Sequence, residues 1–282
     1  MNWLVVDEII KNALVEDGAY DDITTNSIMS KDDTCTVDLI AKEEGIIAGI
    51  EVFRRVFTLL GNVEVEFLVN EGDKVSYSQL IGKIKGSTKN VLTGERVALN
   101  LIQRMSGVAT LTRKFADKLD GTKAKLLDTR KTTPGLRILE KYSVTVGGGC
   151  NHRYNLADGV LIKDNHIDAA GGITQAIEMA RKSVSFVRKL EVEVESLEQL
   201  QEALEAKADI IMLDNMDLAT MKKAVELTNG RAILEASGNV SLDTIRDIAL
   251  TGVDYISSGS LTHSYTALDL SMKNLKRIDI YN

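Results

Sequence analysis

Residues 190–215, LEVEVESLEQLQEALEAKADIIMLDN, contain one complete strand–helix–strand unit and decide the fold class. The runs Leu190–Val194 and Ile210–Asp214 are short and rich in Leu, Val and Ile, as strands are. Between them, Leu197–Ala206 repeats leucine and alanine at helical spacing. Because parallel strands need a crossover connection, usually a helix, the unit predicts a parallel sheet covered by helices.

The same alternation recurs through the second half of the chain. Strands are also predicted at Ala124–Thr129, Val160–Lys163, Ala232–Ala236 and Tyr255–Ser258, and helices at Ile173–Arg181, Leu218–Glu226 and Leu242–Ala249. These units contain no G-x-G-x-x-G, which favours a barrel over a dinucleotide-binding sheet. Roughly 150 residues are too few for eight units, so an open, incomplete parallel α/β barrel is predicted.

The first third of the chain has a different pattern. Residues 34–87 alternate apolar and polar positions between turn signals, which predicts strands. A long helix is predicted from Thr93, with one apolar stripe formed by Val97, Leu101, Met105, Val108, Phe115 and Leu119. We therefore expect a small N-terminal α+β domain over residues 1–106, which the segment 268–282 can complete, and a catalytic barrel over residues 107–267.

Composition limits the class of protein. The 282 residues are 44% hydrophobic and 27% charged, no apolar run is long enough to cross a membrane, and the start lacks the basic flank of a signal peptide. The two cysteines cannot build a disulfide framework, so a cytoplasmic protein is expected. The net charge of −7 disfavours nucleic acid as a partner, but residues 101–170 carry +5 (12 Lys/Arg against 7 Asp/Glu). A local positive pocket suits a small polyanion.

Polar residues end the predicted strands one after another. They are Asp128, Lys163, Glu193, Asp214, Glu235 and Ser257. In a parallel barrel, the carboxyl ends of the strands share one rim, where active sites lie. An enzyme is therefore predicted.

The candidate anion-binding residues are cations near these strand ends. Arg130 and Lys131 follow one strand, Lys163 ends the next, and the glycine run 147–149 leads into His152 and Arg153. Guanidinium groups bind carboxylates and phosphates in a bidentate manner.

The remaining candidates are acids and small residues. Glu193 and Asp214 can hold Mg²⁺, directly or through water, although each can equally be a structural acid. Small residues with free amides at two successive strand ends predict a phosphate cradle. These are Ser237, Gly238 and Asn239 after one strand, and Ser258 and Gly259 after the next.

Ordered motifs make the sequence resemble the quinolinate phosphoribosyltransferase family. They are Asp128-Thr-Arg-Lys-Thr-Thr-Pro-Gly, Gly147-Gly-Gly-x-Asn-His-Arg, Leu161-Ile-Lys-Asp-Asn-His, Glu191-Val-Glu-Val-Glu, Met212-Leu-Asp-Asn and Leu234-Glu-Ala-Ser-Gly. The resemblance extends from Glu16 to about Ser264. It implies an enzyme of NAD biosynthesis that transfers phosphoribosyl from phosphoribosyl pyrophosphate to quinolinate with Mg²⁺ and releases CO₂.

The resemblance also implies residue roles. Quinolinate would be bound by Arg130, His152, Arg153 and Lys163, with Lys131 close by. Glu193 and Asp214 would serve the ribose and the metal, and Ser237, Gly238, Asn239 and Gly259 the phosphates. Asn239 departs from the expected glycine. A homodimer or dimer-based hexamer is implied, with Arg104 donated across the interface.

The catalytic candidates are Lys163, Glu193 and Asp214. Lys163 can donate a proton to the ring carbon or simply pair with charge, and either carboxylate can stabilise the positive ribosyl centre. Two alternatives remain open. One is a molybdenum-locus paralogue of the same fold that acts on another acceptor. The other is a barrel lyase in which Lys163 forms a Schiff base.

Overall fold

The computed structural model describes residues 1–278 and divides into two compact units. The first unit comprises residues 1–113, 132–148 and the segment from 262 onward, and the second comprises residues 114–131 and 149–261. No helix within the described residues is long and apolar enough to span a bilayer.

The helices and strands follow one another in this order: α1 (Trp3–Glu16), a 3₁₀ turn (Ala19–Asp21), α2 (Ile23–Ile28), β1 (Thr34–Ala41), β2 (Gly45–Ile46), α3 (Ile50–Leu60), β3 (Val63–Phe67), β4 (Lys74–Val75), β5 (Leu80–Ser87), α4 (Thr88–Asp117), β6 (Lys125–Leu127), α5 (Arg137–Val146), β7 (Val160–Ile162), α6 (Asp164–Ala170), α7 (Ile173–Ser183), β8 (Leu190–Val194), α8 (Leu197–Glu205), β9 (Ile210–Asp214), α9 (Leu218–Thr228), β10 (Ile233–Ser237), α10 (Ile245–Ala249), β11 (Tyr255–Ser257), α11 (Ser260–His263) and β12 (Leu270–Ile278).

The first unit is built on an antiparallel sheet with strand order β12-β1-β5-β3. Alternate residues of β1 are buried, as its sequence pattern predicts for a strand with one face on a core. Phe53 and Phe57 of α3 are fully buried in that core and contact each other edge to face. Pairing of β12 with β1 brings the end of the chain back to this sheet. The last four positions of the predicted segment 268–282 lie outside the described residues.

The second unit contains the predicted parallel sheet. Its six strands lie in the order β6-β11-β10-β9-β8-β7 and all neighbouring pairs are parallel. Within the described part of the chain, β6 and β7 are the two edges, so the barrel is open. The predicted strands β8 and β9 have the expected ends, and the other four differ by one or two residues at an end.

Two predicted helices differ at their starts. The long helix α4 begins at Thr88 rather than Thr93, because the preceding turn already buries Val91. Helix α10 begins at Ile245 rather than Leu242. There, Ser241 and Thr244 exchange hydrogen bonds between side chains and backbone amides, at 2.9 and 3.3 Å, and this local turn competes with the helix.

Candidate functional site

A cleft of about 650 Å³ lies at the carboxyl ends of the barrel strands. Strand register explains its lining: Glu193, Met212 and Glu235 stand in one row across β8, β9 and β10. Ten of the thirteen predicted site residues line it, namely Arg130, Lys131, His152, Arg153, Lys163, Glu193, Asp214, Ser237, Gly238 and Asn239. Five of the six predicted polar strand ends, Lys163, Glu193, Asp214, Glu235 and Ser257, line this one concave surface, whereas Asp128 is fully buried.

One wall of the cleft carries neighbouring cations. After β6 the chain turns where the Thr129 hydroxyl accepts a hydrogen bond from the Lys131 amide at 3.0 Å. The Nε of Arg130 is buried and has no acceptor within residues 1–278. Burial lowers the pKa of Arg153, and the charge of Arg130 lowers it further. Two guanidinium groups that repel each other, one with an unused buried donor, form a wall that favours an anion.

His152 lies in the floor of the cleft with its backbone and ring held. Its amide donates to Asp128 Oδ1 at 2.8 Å. Its Nε2 lies 3.1 Å from Glu191 Oε2 and 3.4 Å from Glu235 Oε2, and its Nδ1 lies 2.7 Å from the amide nitrogen of Arg153. The side chain is 12% exposed, and both carboxylates are more deeply buried.

The environment of His152 favours the charged ring. Burial by itself lowers the pKa of His152, but the hydrogen bonds with Glu191 and Glu235 outweigh burial and raise the pKa to about 10. The Arg153 amide opposes a proton on Nδ1. Losing the hydrogen bond that the Arg153 amide donates to Nδ1 costs about 1 kcal/mol. Two carboxylates within 3.4 Å of Nε2 favour the positive ring, and this effect prevails.

The opposite side of the cleft is acidic. Glu193 Oε2 accepts a hydrogen bond from Lys163 Nζ at 2.9 Å, and Asp214 Oδ2 accepts one from Asn215 at 2.7 Å. Burial raises the pKa of Asp214, and the neighbouring charge of Glu193 raises it further. An ammonium group paired with a carboxylate is not the neutral amine that a Schiff base requires, which disfavours the lyase alternative.

The turn after β10 approaches its neighbour closely. Gly238 has φ +92°, and a Cβ at this position would lie 2.1 Å from Asn215 Oδ1. Asn239 follows with φ +51°, in the left-handed region that asparagine tolerates better than most residues. This conformation explains why asparagine can stand where the resemblance leads us to expect glycine.

Three predicted site residues do not line the cleft. Ser258 is buried, and its hydroxyl lies 2.7 Å from that of Ser260, so this side chain supports the end of β11. Gly259 follows it in the chain. Arg104 belongs to the first unit.

Arg104 is held by a buried cluster of its own unit. Its Nε and Nη2 donate to Glu140 Oε1 at 3.1 and 2.5 Å, and Nη2 also donates to the Thr133 hydroxyl. The ring of Tyr265 lies 5.1 Å from the guanidinium carbon. Glu140 is 1% exposed, and its Oε2 accepts from the Thr133 amide. The Arg104 side chain remains 22% exposed, so part of this fixed guanidinium is accessible.

Sequence reasoning missed Glu191 and Glu235 as site residues, and Glu140 as the partner of Arg104. A signal for Glu191 exists in β8, where the acids at 191 and 193 alternate with buried valines. In a strand covered by helices, the valines pack outward and the acids must face the barrel interior. No sequence signal pairs Glu140 with Arg104, because the two are 36 positions apart.

Family comparisons cover most of the chain. Residues 22–106 match the N-terminal domain of quinolinate phosphoribosyl transferase, and residues 108–273 match its C-terminal domain. The chain is 44% identical to a probable nicotinate-nucleotide pyrophosphorylase (carboxylating) of Bacillus subtilis strain 168, covering 96% of this chain and 94% of that protein. It is also 44% identical to quinolinate phosphoribosyltransferase (decarboxylating) 2b of Nicotiana tabacum, covering 94% and 81%.

Solved structures give the same result. NadC from Streptococcus pyogenes superposes with a TM-score of 0.96 at 46% identity, covering 99% of both chains. The nicotinate-nucleotide pyrophosphorylase of Francisella tularensis superposes with a TM-score of 0.92 at 42% identity, covering 96% of both chains. With both domain models and near-complete relatives in agreement, the chain belongs to the quinolinate phosphoribosyltransferase family.

Proposed function

We propose that this protein transfers the phosphoribosyl group of phosphoribosyl pyrophosphate to quinolinate and decarboxylates the product. The products are nicotinate mononucleotide, pyrophosphate and CO₂, in NAD biosynthesis. Family membership supports the reaction. The arrangement of charge in the cleft supports the assignment of residues to its steps.

The observation that carries the proposal is the unused buried Nε of Arg130 beside a second guanidinium, that of Arg153. A buried charged donor without an acceptor is costly, so the site is incomplete without an anion. Quinolinate brings two carboxylates on adjacent ring carbons. We assign Arg130, Arg153, His152 and Lys163 to these groups, with Lys131 at the rim.

The acidic side suits the sugar and the metal. Glu193 and Asp214 face one cleft, where burial raises the pKa of Asp214 and the nearby charge of Glu193 raises it further. A divalent cation relieves this repulsion, and Mg²⁺ is held by one or two carboxylates plus substrate phosphates. The residues therefore fit Mg²⁺, which when bound would neutralise charge on the pyrophosphate leaving group. We assign the turn Ser237–Asn239 to phosphate binding, with Ser258 and Gly259 supporting it from β11.

Residue chemistry then accounts for both steps. As pyrophosphate leaves, positive charge develops at the ribosyl carbon, and the carboxylates of Glu193 and Asp214 stabilise it. The ring nitrogen attacks this carbon and becomes positively charged. That nitrogen accepts electron density when the 2-carboxylate leaves as CO₂, while the cations retain the 3-carboxylate. Lys163, which pairs with Glu193, contributes a positive charge beside the substrate at this stage.

We assign Arg104 to the cleft of a partner subunit in a homodimer or a dimer-based hexamer. Its Nε and Nη2 are used by Glu140 and Thr133, and the side chain stays partly exposed. A cation that is fixed in direction but not buried is suited to a ligand outside its own unit. Location in the cytoplasm stays a prediction from the sequence.

Binding of three related pyridine carboxylic acids tests the substrate assignment. Calorimetry should give quinolinate at least about tenfold tighter binding than nicotinate or picolinate, since each of these lacks one carboxylate and a charged contact contributes about 1.5–3 kcal/mol. Arg130→Gln should remove most of that preference. Equal affinity for all three acids would contradict the assignment of a dicarboxylate to this wall.

A further inference from the structure

His152 separates two cavities of the barrel. Above it lies the cleft, and below it a second cavity of about 420 Å³ at the amino ends of the strands, lined among others by Ile210, Ile233 and Tyr255. His152, Arg153 and Glu235 border both cavities. The barrel interior is therefore divided by one layer of charged side chains, which forms the floor of the cleft.

Charged groups face His152 from several elements. Glu191 comes from β8 and Glu235 from β10, while Asp128 and Arg130 follow β6 and Arg153 follows His152 itself. Lys163 after β7, Asp214 at the end of β9 and the β11 residue Ser257 line the cleft above. Tyr255 of β11 lines the cavity below, with Arg188 and Lys189. The two glutamates contact the ring nitrogen Nε2 directly.

The side chains of His152, Glu191 and Glu235 have the spacing of a metal-ligand set. His152 Nε2 and one oxygen each of Glu191 and Glu235 lie within 4.8 Å of one another. However, the charge of Arg153 acts on Glu191, and Arg130 acts on Arg153. Both carboxylates already have His152 Nε2 as a partner, and a metal ion at this place would meet the positive charge of Arg153. Geometry and charge favour a protonated imidazole at this position.

We propose that Glu191 and Glu235 are positioning residues, which fix the His152 ring and keep it charged so that the floor of the cleft can hold a quinolinate carboxylate. The inference rests on the proposed function. Without the two acids, a ring that is 12% exposed loses its charge, because burial alone favours the neutral form. The cleft then keeps its shape but loses one of its cations.

NMR of the full chain tests the charge without any substrate. The protein has three histidines, so its ring C2–H signals are few, and His152→Asn assigns the one of interest. In the wild type this signal should keep the chemical shift of a charged imidazole between about pH 6 and 8.5, whereas in Glu235→Gln or Glu191→Gln it should move to that of the neutral ring within or below that range. Unchanged signals of His166 and His263 would show that the variant is folded.

Kinetics test the positioning role. In Glu235→Gln the KM for quinolinate should rise about tenfold at pH 8 and less at pH 6, while the KM for phosphoribosyl pyrophosphate stays within about twofold. Glu226→Gln, an exposed acid on α9, is the matched control and should change neither constant.

Three outcomes would overturn the inference. One is a wild-type His152 signal that titrates between about pH 6 and 8.5 or has the chemical shift of a neutral ring throughout, and another is a variant whose His152 signal keeps the chemical shift of a charged ring. The third is a shift of the His152 signal on addition of Zn²⁺ that Glu235→Gln abolishes, which would identify a metal site instead. Failure of the wild type to bind quinolinate is a separate result and would refute the proposed function.

Discussion

Lys163 has a short ion pair with Glu193 at the end of β7 and yet remains 46% exposed. Exposed pairs of this kind contribute only about 0–1 kcal/mol to stability. A cation that adds so little to folding but lines the cleft is better explained by what it does to a ligand. Lys163 therefore contributes to function but little to stability, whereas His152 contributes to both.

Lys163→Ala should lose turnover and keep its fold. Removing one electrostatic contact to a transition state costs on the order of 100-fold in kcat, while the thermal midpoint should change by less than about 2 °C. Steady-state assays and thermal unfolding of the same preparation measure both. Lys182→Ala, an exposed lysine in the last turn of α7, provides the control. Full activity in Lys163→Ala would refute its catalytic assignment.

The stability that His152→Asn loses should depend on pH. The folded pKa of His152 is raised from 6.5 to about 10. The stabilisation is therefore fully present below pH 6.5 and is lost as pH rises through about 10. Breaking a buried charge pair costs about 3–5 kcal/mol, so the deficit in unfolding free energy should be largest near pH 6 and shrink towards pH 10. Urea titrations measure it, with exposed His263→Asn as control. A deficit independent of pH would contradict a charged His152.

Among the elements, the turns at the carboxyl ends of β9 and β10 define the phosphate side of the cleft. Gly238 and Asn215 both have positive φ, and the two turns lie so close that a side chain at Gly238 would overlap the Asn215 amide. Asn239 Nδ2 donates to Asn215 Oδ1 at 3.2 Å and links the turns. These two loops should therefore behave as one rigid cradle.

Gly238→Ala should weaken phosphoribosyl pyrophosphate binding selectively. The added methyl must displace Asn215, so the KM for this substrate should rise about tenfold or more, with a smaller effect on quinolinate. Gly230→Ala is a matched control, since Gly230 also has positive φ but nothing within 4 Å of the added atom. It should cost only about 1–2 kcal/mol of stability. Equal kinetic effects of the two variants would show that backbone strain, not crowding, is responsible.

The sequence predicts where the strands lie along the chain well, and it predicts local turns and side-chain contacts less well. The strands β6 to β11 follow from apolar runs that alternate with helical spacing, because that pattern reflects burial directly. The start of α10 does not, since Ser241 and Thr244 stabilise a competing turn that periodicity cannot detect. Glu191 and Glu235 were missed as a pair because they stand on two strands separated by β9 and in rows two positions apart, and only the folded structure brings both to the same imidazole.

The candidate site residues are divided between the two units of the molecule. The cleft lies within the second unit and is lined by cations on one side and acids on the other. Arg104 is held by Glu140, Thr133 and Tyr265, which all belong to the first unit. The family resemblance of the sequence suggested the role of Arg104, whereas only the structure shows the contacts that hold its side chain.

Subunit mixing tests the donation of Arg104. Arg104→Ala and Lys163→Ala should each be nearly inactive, but unfolding and refolding them together should restore activity. If subunits pair at random in a two-fold dimer, half of the dimers are hybrids with one intact site, which gives about one quarter of wild-type activity. Either variant refolded alone is the control. No recovery in mixed dimers, verified by mass, would mean that Arg104 acts within its own chain or not at all.

The stoichiometry of phosphoribosyl transfer to quinolinate tests the proposed function. The purified protein should be supplied with quinolinate, phosphoribosyl pyrophosphate and Mg²⁺, and CO₂, pyrophosphate and nicotinate mononucleotide measured in the same reaction. Quinolinate should give all three products in equimolar amounts, and none should form when nicotinate replaces it. Pyrophosphate release without CO₂, or equal turnover of nicotinate, would contradict the proposed function.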